Sequence, residues 1–413
     1  MAPTTRRTAL LFLASLLLIA SLSAKIAKAA KADAHWVGTW STAPVSTNNG
    51  NGRFSEDTTL REIVHVSLGG SSVRIVLSNA FGTDTLKIGG ANVGLVTSGN
   101  AVKTGAPALF HGQLTVEIPA GAEVVSDPIA VNLPALTDLA VTLFIPGQTI
   151  TTITQHNFAD QTSYELPGNR LAETDFSGTT APGTTPLTSW PFLKAVEVLA
   201  PADAAAIVCL GDSITDGSHS TLDKNLRWPD VLASRLQANR KTARMAVLNE
   251  GIGGNRLLHD VAGPNALARF DRDVLDQNGV KYLIILEGIN DIGHAYDPAK
   301  PYDVITAEQL ELALTQLIDR AHAHGIKVIG ATLTPYAGAK YQSAEGEKVR
   351  EAENDFILHS GKFDGVIDFA KATADPVDPA RIASPLECGD HLHPNDSGYQ
   401  MMGASVDLNL FKK

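Results

Sequence analysis

The chain has 413 residues, and its 44 acidic side chains outnumber the 33 lysines and arginines, so the formal net charge is −11. This acidity argues against nucleic acids and anionic membranes as partners, because both are densely negative. With 44% hydrophobic and 19% charged residues, the chain can bury one large core or two ordinary ones.

Residues 1–32 have the three parts of a secretory signal peptide. An arginine pair precedes the apolar run 9–22, and small residues follow it. The run is too short to span a membrane comfortably, and no other stretch reaches the length of a span. Cleavage after Ala24, Ala29 or Ala32 fits equally well, and the arginine pair also fits twin-arginine export. We therefore predict a mature chain that is secreted or periplasmic, without stable membrane insertion.

The two cysteines, Cys209 and Cys388, allow at most one disulfide. Export would permit the bond. Cys209, however, lies inside an apolar run, where a small buried thiol is the simpler interpretation. Both alternatives stay open at this point.

Residues 36–200 have the pattern of an all-β domain. Short runs such as 61–68 and 139–145 alternate or stay apolar, and glycine, asparagine and proline separate them. No amphipathic helical stretch interrupts the runs, which favours a jelly-roll-like β-sandwich. The stretch 177–189 predicts a surface loop, and 192–199 predicts the last strand.

This first domain contains no cluster that is typical of a catalytic site. Its scattered histidines are expected to make structural hydrogen bonds: His65, His111 and His156. Its tryptophans could stack on sugar rings, but packing in the sandwich core is the commoner role of such side chains: Trp36, Trp40 and Trp190.

From residue 204 to residue 413 the pattern changes to alternating strands and helices. The predicted strands are 207–210, 245–248, 282–286, 327–331 and 365–369, and the predicted helices are 228–236, 307–324 and 348–359. Such alternation implies a doubly wound parallel sheet with helices on both faces.

Four strand ends in this second domain are predicted to carry four polar motifs, and open α/β sheets carry their chemistry at the carboxyl ends of strands. The motifs are Gly211-Asp212-Ser213, the glycine-rich run 249–255, Gly288-Ile289-Asn290-Asp291 and Asp390-His391-Leu392-His393-Pro394. An isolated motif of the first kind could merely cap a helix through Asp212 or Ser213. Four motifs in fixed order favour a catalytic site instead.

The residue types in these motifs match the needs of acyl transfer. A serine such as Ser213 is a weak nucleophile and needs a base whose imidazole is held in one tautomer by a third group. Asp390 and His393 are three residues apart, close enough for carboxylate and ring to meet within one loop turn. A glycine N–H and an asparagine amide can stabilise the developing oxyanion. The set is complete for hydrolysis of an ester.

By these motifs, residues 204–413 resemble the SGNH hydrolases, the GDSL-type esterases, which implies a flavodoxin-like sheet and no cofactor. The resemblance makes Ser213 the nucleophile, His393 the general base and Asp390 its orienting acid. An N-terminal β-sandwich joined to such a domain resembles secreted esterases that deacetylate polysaccharides.

The same resemblance implies three oxyanion donors: the backbone N–H of Ser213, the backbone N–H of Gly254 and the side chain of Asn290. Gly251 and Gly253 compete with Gly254 for the second place. Gly254 is preferred because it stands five residues after Asn249, the usual spacing in the family.

Several alternatives compete with this interpretation. The G-x-S-x-G nucleophile elbow of ordinary α/β-hydrolases is absent from the sequence. Asp390, His391 and His393 could instead bind a divalent metal, but Ser213 and Asn290 would then have no role. A carbohydrate-binding protein on a dead esterase scaffold would predict a lost catalytic residue, and none is lost. Asp216 and Asp291 are expected to accept backbone hydrogen bonds in loops.

The substrate is predicted from the loops that border the site. Loops 217–227 and 257–269 are mostly polar, which favours short acyl groups, acetyl above all, on plant or microbial polysaccharides or oligosaccharides. A lysophospholipase or lipase activity is the alternative, since members of one fold take many esters.

Overall fold

The computed structural model describes residues 34–49, 52–176, 183–295 and 303–412. The predicted signal peptide, 1–32, lies outside the described residues, as does the first part of the predicted loop 177–189. Within the described ranges, no helix is long and apolar enough to cross a membrane.

The region from Ala34 to Pro201 forms only β-strands as regular elements in its described residues. The strands are β1 Ala34–Ser41, β2 Val45–Asn48, β3 Thr58–Val66, β4 Val73–Ser78, β5 Leu86–Ile88, β6 Gly90–Ser98, β7 Ala101–Val102, β8 Ala106–Ala108, β9 Val116–Ile118, β10 Glu123–Val125, β11 Thr137–Ile145, β12 Thr152–His156, β13 Ser163–Pro167, β14 Thr185–Leu187, β15 Trp190–Pro191 and β16 Leu193–Pro201.

These strands pair antiparallel in four sheets. The largest has the order β14-β13-β3-β11-β6-β7, with β8 also on β6, and the second has the order β1-β16-β4-β10. The smaller sheets are β15-β12-β2 and β5-β9. Residues 139–143 of β11 are all buried, so both faces of this central strand are covered. The predicted all-β class of this region is confirmed.

One part of the predicted loop 177–189 is wrong. Residues Thr185–Leu187 form β14, which pairs with Ser163–Glu165 of β13 at the edge of the large sheet. The local sequence favours a turn, but a partner strand supplies the hydrogen bonds that a short polar segment needs to be extended. The predicted last strand, 192–199, matches β16.

The region from Ala205 onward alternates strands and helices. The strands are β17 Ala205–Gly211, β18 Met245–Gly251, β19 Val280–Leu286, β20 Lys327–Ala331 and β21 Gly365–Ile367. The described α-helices are α1 Ser213–Asp216, α2 Trp228–Ala238, α3 Ala266–Phe270, α4 Ile289–Ala295, α5 Ala307–Ala323, α6 Ala344–His359, α7 Phe369–Thr373 and α8 Asp396–Ser405. A π-helical turn spans Asp271–Leu275, and 3-10 turns span Ser384–Leu386 and Leu408–Phe411.

The five strands form one parallel sheet in the order β18-β17-β19-β20-β21. Counted along the chain, this is the order 2-1-3-4-5 of flavodoxin-like folds, so the predicted fold class is confirmed. Every residue of β17 is buried. The order reverses between β17 and β19, and ligands of such sheets bind outside the carboxyl ends of the strands at this reversal.

The antiparallel region packs against β18, the edge strand of the parallel sheet. Gly38 N–H donates to the Asn278 carbonyl at 2.9 Å, and Ser67 Oγ lies 3.1 Å from the Val247 carbonyl. One cluster of buried apolar residues includes side chains from both regions. The boundary between residues 200 and 204 therefore has buried contacts on both sides, and the division into two domains there remains a prediction.

Both cysteines are free thiols. Cys209 is fully buried in β17, which agrees with its interpretation as a small apolar side chain.

Candidate active site

The first motif follows the central strand directly. β17 ends at Gly211, where a Cβ would lie 2.2 Å from Thr215 Oγ1 and 2.5 Å from the Leu286 carbonyl, so a side chain has no room. Asp212 then caps α1, its Oδ1 accepting from the N–H of Ile214 at 2.8 Å. The cap function considered for this motif thus belongs to Asp212, and Ser213 becomes the first residue of α1.

Ser213, His393 and Asp390 form a continuous chain of hydrogen bonds. Ser213 Oγ lies 2.8 Å from His393 Nε2, and His393 Nδ1 lies 2.6 Å from Asp390 Oδ2. A carboxylate only accepts, so Nδ1 carries a proton and Nε2 of the neutral ring is free to accept from the serine hydroxyl. This is the tautomer that a general base requires.

Asp390 is held in place by the turn it shares with His393. Its Oδ1 accepts from the N–H groups of Leu392 at 2.9 Å and His393 at 2.8 Å. Partial burial acts in the opposite direction, but these bonds and the His393 ring hold the pKa of Asp390 well below its usual value. Asp390 therefore stays ionised where the enzyme would need it to orient His393.

The predicted oxyanion donors lie at the ends of the strands that flank β17. Gly254 follows β18 with φ +77°, in the left-handed region that favours glycine. Asn290, 5% exposed, lies in the first turn of α4 after β19. Its Nδ2 donates to the carbonyl of Asn255 at 3.0 Å, so the amide is tied to the residue that follows Gly254. The second amide hydrogen remains for a substrate oxygen.

Arg269 connects the ends of β17 and β18 by hydrogen bonds, a role that the sequence did not predict. Its guanidinium donates to the carbonyls of Gly211 at 2.9 Å and Glu250 at 2.7 Å, and to Asn255 Oδ1 at 2.9 Å. The side chain is fully buried. Arg269 lies in α3 and carries no sequence signal for this position, because two of its partners are backbone carbonyls, which every residue has.

The two aspartates expected to be structural do accept backbone hydrogen bonds. Asp291 accepts from the N–H groups of Leu257 at 2.7 Å and Leu258 at 3.0 Å. Asp216 Oδ2 accepts from Gly253 N–H at 2.9 Å. Both carboxylates thereby shape the loop that carries Gly254.

Three carboxyl groups buried near the same strand ends have oxygens without hydrogen-bond partners among the described residues: Asp212, Glu287 and Glu353. Burial raises the pKa of Asp212 to about 7, with the charges of Asp291 and Asp216 adding to the effect. Burial also raises the pKa values of Glu287 and Glu353 well above the usual range. A protonated carboxyl avoids the cost of an unpaired buried charge.

His219 and Cys388 join the site without having been predicted. The ring of His219 lies 5.2 Å from that of His393, and its Nε2 is 3.9 Å from Asp390 Oδ2. His219, Cys388, Asp390 and His393 offer ligand atoms within 4.8 Å of one another and could together hold a metal ion. His391, part of the metal set considered from the sequence, instead has Nδ1 3.6 Å from Glu387 Oε1.

Comparison with known proteins identifies the parallel-sheet domain. Residues 209–401 match the model of the GDSL-like lipase/acylhydrolase family. This part of the chain belongs to that family. The protein is accordingly a carboxylic ester hydrolase. No curated protein matches the chain.

Several solved structures align with about half of this chain. A lipolytic protein of the G-D-S-L family from Desulfitobacterium hafniense aligns at 23% identity, over 49% of this chain and 97% of its own, with a TM-score of 0.38. The acetyl xylan esterase AlAXEase aligns at 21% identity, over 48% and 96%, with a TM-score of 0.39. A variant acetyl xylan esterase from Geobacillus stearothermophilus aligns at 20% identity, over 49% and 92%, with a TM-score of 0.40.

Proposed function

We propose that the protein is a secreted serine esterase that works through an acyl-enzyme, with Ser213 as nucleophile, His393 as general base and Asp390 as orienting acid. The observation that carries this proposal is the hydrogen-bonded chain from Ser213 Oγ through both nitrogens of His393 to Asp390. Export is proposed from the signal-peptide pattern of residues 1–32.

The first half of the reaction forms the acyl-enzyme. Ser213 Oγ attacks the ester carbonyl carbon while His393 Nε2 takes the hydroxyl proton. The carbonyl oxygen becomes an oxyanion, which the N–H groups of Ser213 and Gly254 and the amide of Asn290 stabilise. The C–O bond to the alcohol then breaks, and His393 returns the proton to the leaving oxygen.

The second half releases the acid. Water attacks the acyl carbon as His393 takes its proton, the same donors hold the new oxyanion, and Ser213 leaves with the proton. Asp390 keeps its charge throughout and stabilises the imidazolium that forms in each half.

For the substrate, we propose short acyl esters, acetyl above all, on polysaccharides or oligosaccharides. The support is the polar character of loops 217–227 and 257–269, together with the half-exposed rings of His219 and His391 beside the site. The features that favour the lipid alternative are two exposed apolar side chains on the same loops, Leu222 at 45% and Val261 at 66% exposure.

The catalytic assignment is tested by Ser213→Ala. Loss of the nucleophile is expected to lower kcat by several orders of magnitude, about 10⁴-fold or more, while the melting temperature stays near that of the parent. The variant should also resist a serine-directed organophosphonate that labels the parent. Retention of more than about a tenth of the activity would remove Ser213 from the chemistry, and a parent without esterase activity would favour a carbohydrate-binding role.

The substrate class is tested by acetate release from acetylated xylan and related polymers, compared with p-nitrophenyl esters of increasing chain length. The proposal predicts acetate release and a kcat/KM that falls as the acyl chain lengthens. A kcat/KM that rises with chain length, together with hydrolysis of lysophospholipids, would replace the carbohydrate substrate by a lipid.

A further inference from the structure

The loop that carries Gly254 is held on one side by a residue of the antiparallel region, His156. This side chain ends β12, is 3% exposed, and stacks on Trp190 with ring centroids 5.7 Å apart. Trp190 is itself anchored, since its Nε1 donates to the Ile63 carbonyl at 3.0 Å. His156 therefore has a fixed position within the antiparallel region.

Both nitrogens of the His156 ring face acceptors. Nδ1 lies 2.8 Å from the Ala43 carbonyl, and Nε2 lies 2.9 Å from the Phe158 carbonyl and 3.0 Å from Asp216 Oδ1. Carbonyl and carboxylate oxygens only accept, so these contacts favour a ring that is protonated at both nitrogens. Burial alone would lower the pKa of His156, but Asp216 and the Ala43 carbonyl outweigh it, and the pKa is raised.

Asp216 links His156 to the glycine-rich run 249–255, which we call the glycine loop. One carboxylate oxygen accepts from His156, and the other accepts from the N–H of Gly253 at 2.9 Å. Gly253 immediately precedes Gly254. The contact is close on the backbone side as well, because a Cβ on Gly251 would lie 2.3 Å from the Asp216 nitrogen.

A small apolar cluster makes the same connection beside the ion pair. Ala43 and Val45 of the antiparallel region pack on Ile252 of the glycine loop, and these three buried residues form a cluster separate from the main core. The carbonyl of Ala43 is also the acceptor for His156 Nδ1. Two independent contacts, one ionic and one apolar, thus join the antiparallel region to residues 252 and 253.

We propose that His156 is a positioning residue for ester hydrolysis, and that the antiparallel region acts through it and Asp216 to hold the N–H of Gly254 in the oxyanion hole. The inference rests on the proposed role of Gly254. A donor displaced by a fraction of an ångström stabilises the oxyanion poorly, and the substrate ground state is little affected. The antiparallel region then contributes to catalysis directly, in addition to any contact with substrate.

His156→Ala tests the proposal in the full-length protein. We expect kcat for p-nitrophenyl acetate to fall by about 10- to 100-fold with KM changed less than about twofold, since one oxyanion donor is worth at most 10²–10³ in kcat. Affinity for an alkyl boronic acid, whose tetrahedral serine adduct places an oxygen among the oxyanion donors, should fall in step with kcat/KM. His156→Gln retains an N–H donor towards Asp216 and should keep more activity than His156→Ala.

Ser67→Ala is the matched control. Ser67 is also buried at the junction, where its Oγ accepts from Val247 N–H at 2.9 Å, but it contacts the middle of β18 and not the glycine loop. We expect Ser67→Ala to have a lower melting temperature than the parent and an unchanged kcat per active site, with the active sites counted by organophosphonate titration.

A parent-like kcat and boronic acid affinity in folded His156→Ala would overturn the proposal. If His156→Ala does not fold, the same measurements on His156→Leu decide, because leucine fills the buried site without a hydrogen-bond donor, and parent values there would overturn the proposal equally. Ser213→Ala, assayed in parallel, distinguishes failure of the proposed function from failure of the positioning role. An active Ser213→Ala contradicts the proposed function. An inactive Ser213→Ala with a fully active His156→Ala contradicts only the positioning role of His156.

Discussion

The parallel and antiparallel regions contribute different kinds of residues to the candidate site. In the parallel region, Ser213, Gly254 and Asn290 each follow a strand within a few residues, and each lies in a motif that can be recognised in the sequence. In the antiparallel region, His156 and Lys194 stand alone among unrelated neighbours, yet both make buried ion pairs across the junction. The groups proposed for chemistry can thus be recognised from local sequence, whereas the groups proposed to support them can be recognised only from their tertiary contacts.

The largest loss of kcat is expected on substitution in the motif 390–394 of the parallel region, where His393 and His391 should behave differently. His393→Ala is expected to lower kcat by about 10⁴-fold or more, because the base for both proton transfers is lost. His391→Ala is the control and should keep most of the activity, since its ring faces Glu387 and not Ser213. The measurement is kcat for p-nitrophenyl acetate in both variants.

The same pair of variants tests the metal alternative. Activity of the parent should be unchanged by EDTA. Equal losses in both variants, reversed by added zinc, would contradict the serine mechanism and favour a metal site.

The second effect tests whether the two regions depend on each other for stability. Lys194 of β16 lies 3.0 Å from Glu250 Oε2 and 3.2 Å from Asp273 Oδ1, and all three side chains are almost fully buried. Lys194→Ala leaves the buried Glu250 carboxylate without its cation, whereas Asp273 keeps Arg269 and Arg272, so the free energy of unfolding should fall by about 3–5 kcal/mol. Urea denaturation gives this difference.

Lys87→Ala is the control for that prediction. Lys87 also pairs with a glutamate in the antiparallel region, Glu117, but at 3.7 Å and with both side chains more than half exposed. Such pairs contribute little, so the denaturation midpoint should stay at the parent value. A Lys194→Ala midpoint equal to that of Lys87→Ala would mean that the buried cluster does not stabilise the junction.

The third effect concerns the donor on the other side of β17. Asn290→Ala should lower kcat by roughly 10²–10³ with little change in KM, because the amide acts mainly in the transition state. Asn290→Asp should be at least as harmful, since it replaces a donor by a negative charge facing the oxyanion. Normal kcat in a folded Asn290→Ala protein, or a loss that merely follows the folded fraction, would assign Asn290 a structural role.

The smallest effect is a dependence of stability on pH that originates in the buried carboxyl groups. Burial raises the pKa of Glu353 well above its ordinary value of 4.5. The folded protein therefore keeps a proton that the unfolded chain releases, so this contribution to stability is complete below about pH 4.5 and is lost as the pH rises through the folded-state pKa. Glu353→Gln cannot ionise and should lose this decline, so its free energy of unfolding should rise relative to that of the parent as the pH increases from 5 to 8.

Glu351→Gln provides the comparison, because Glu351 is exposed on the same helix. Melting temperatures of the parent and both variants across that pH range give the result. A difference between Glu353→Gln and the parent that does not change with pH would show that Glu353 is ionised in the folded protein.

Secondary structure was predictable where a pattern is set by local burial. The continuous apolar run of β17 and the helical pattern over 307–324, which matches α5, were both found in the sequence. The short elements α1, α3, α4, α7 and β14 were missed, because a few residues give too little periodicity to distinguish a helix or strand from a turn. The ten-residue helix α8 was missed as well.

The sequence by itself determined the fold class of each region and the residues proposed for chemistry, since both depend on short-range features: the two-residue and helical periods, and motifs placed at strand ends. Only the tertiary structure decided which side chains support that chemistry. Arg269 binds backbone carbonyls of two strands, and His156 meets Asp216 from 60 positions away. Backbone carbonyls exist at every residue and a distant ion pair has no spacing rule, so the folded chain alone brings such partners together.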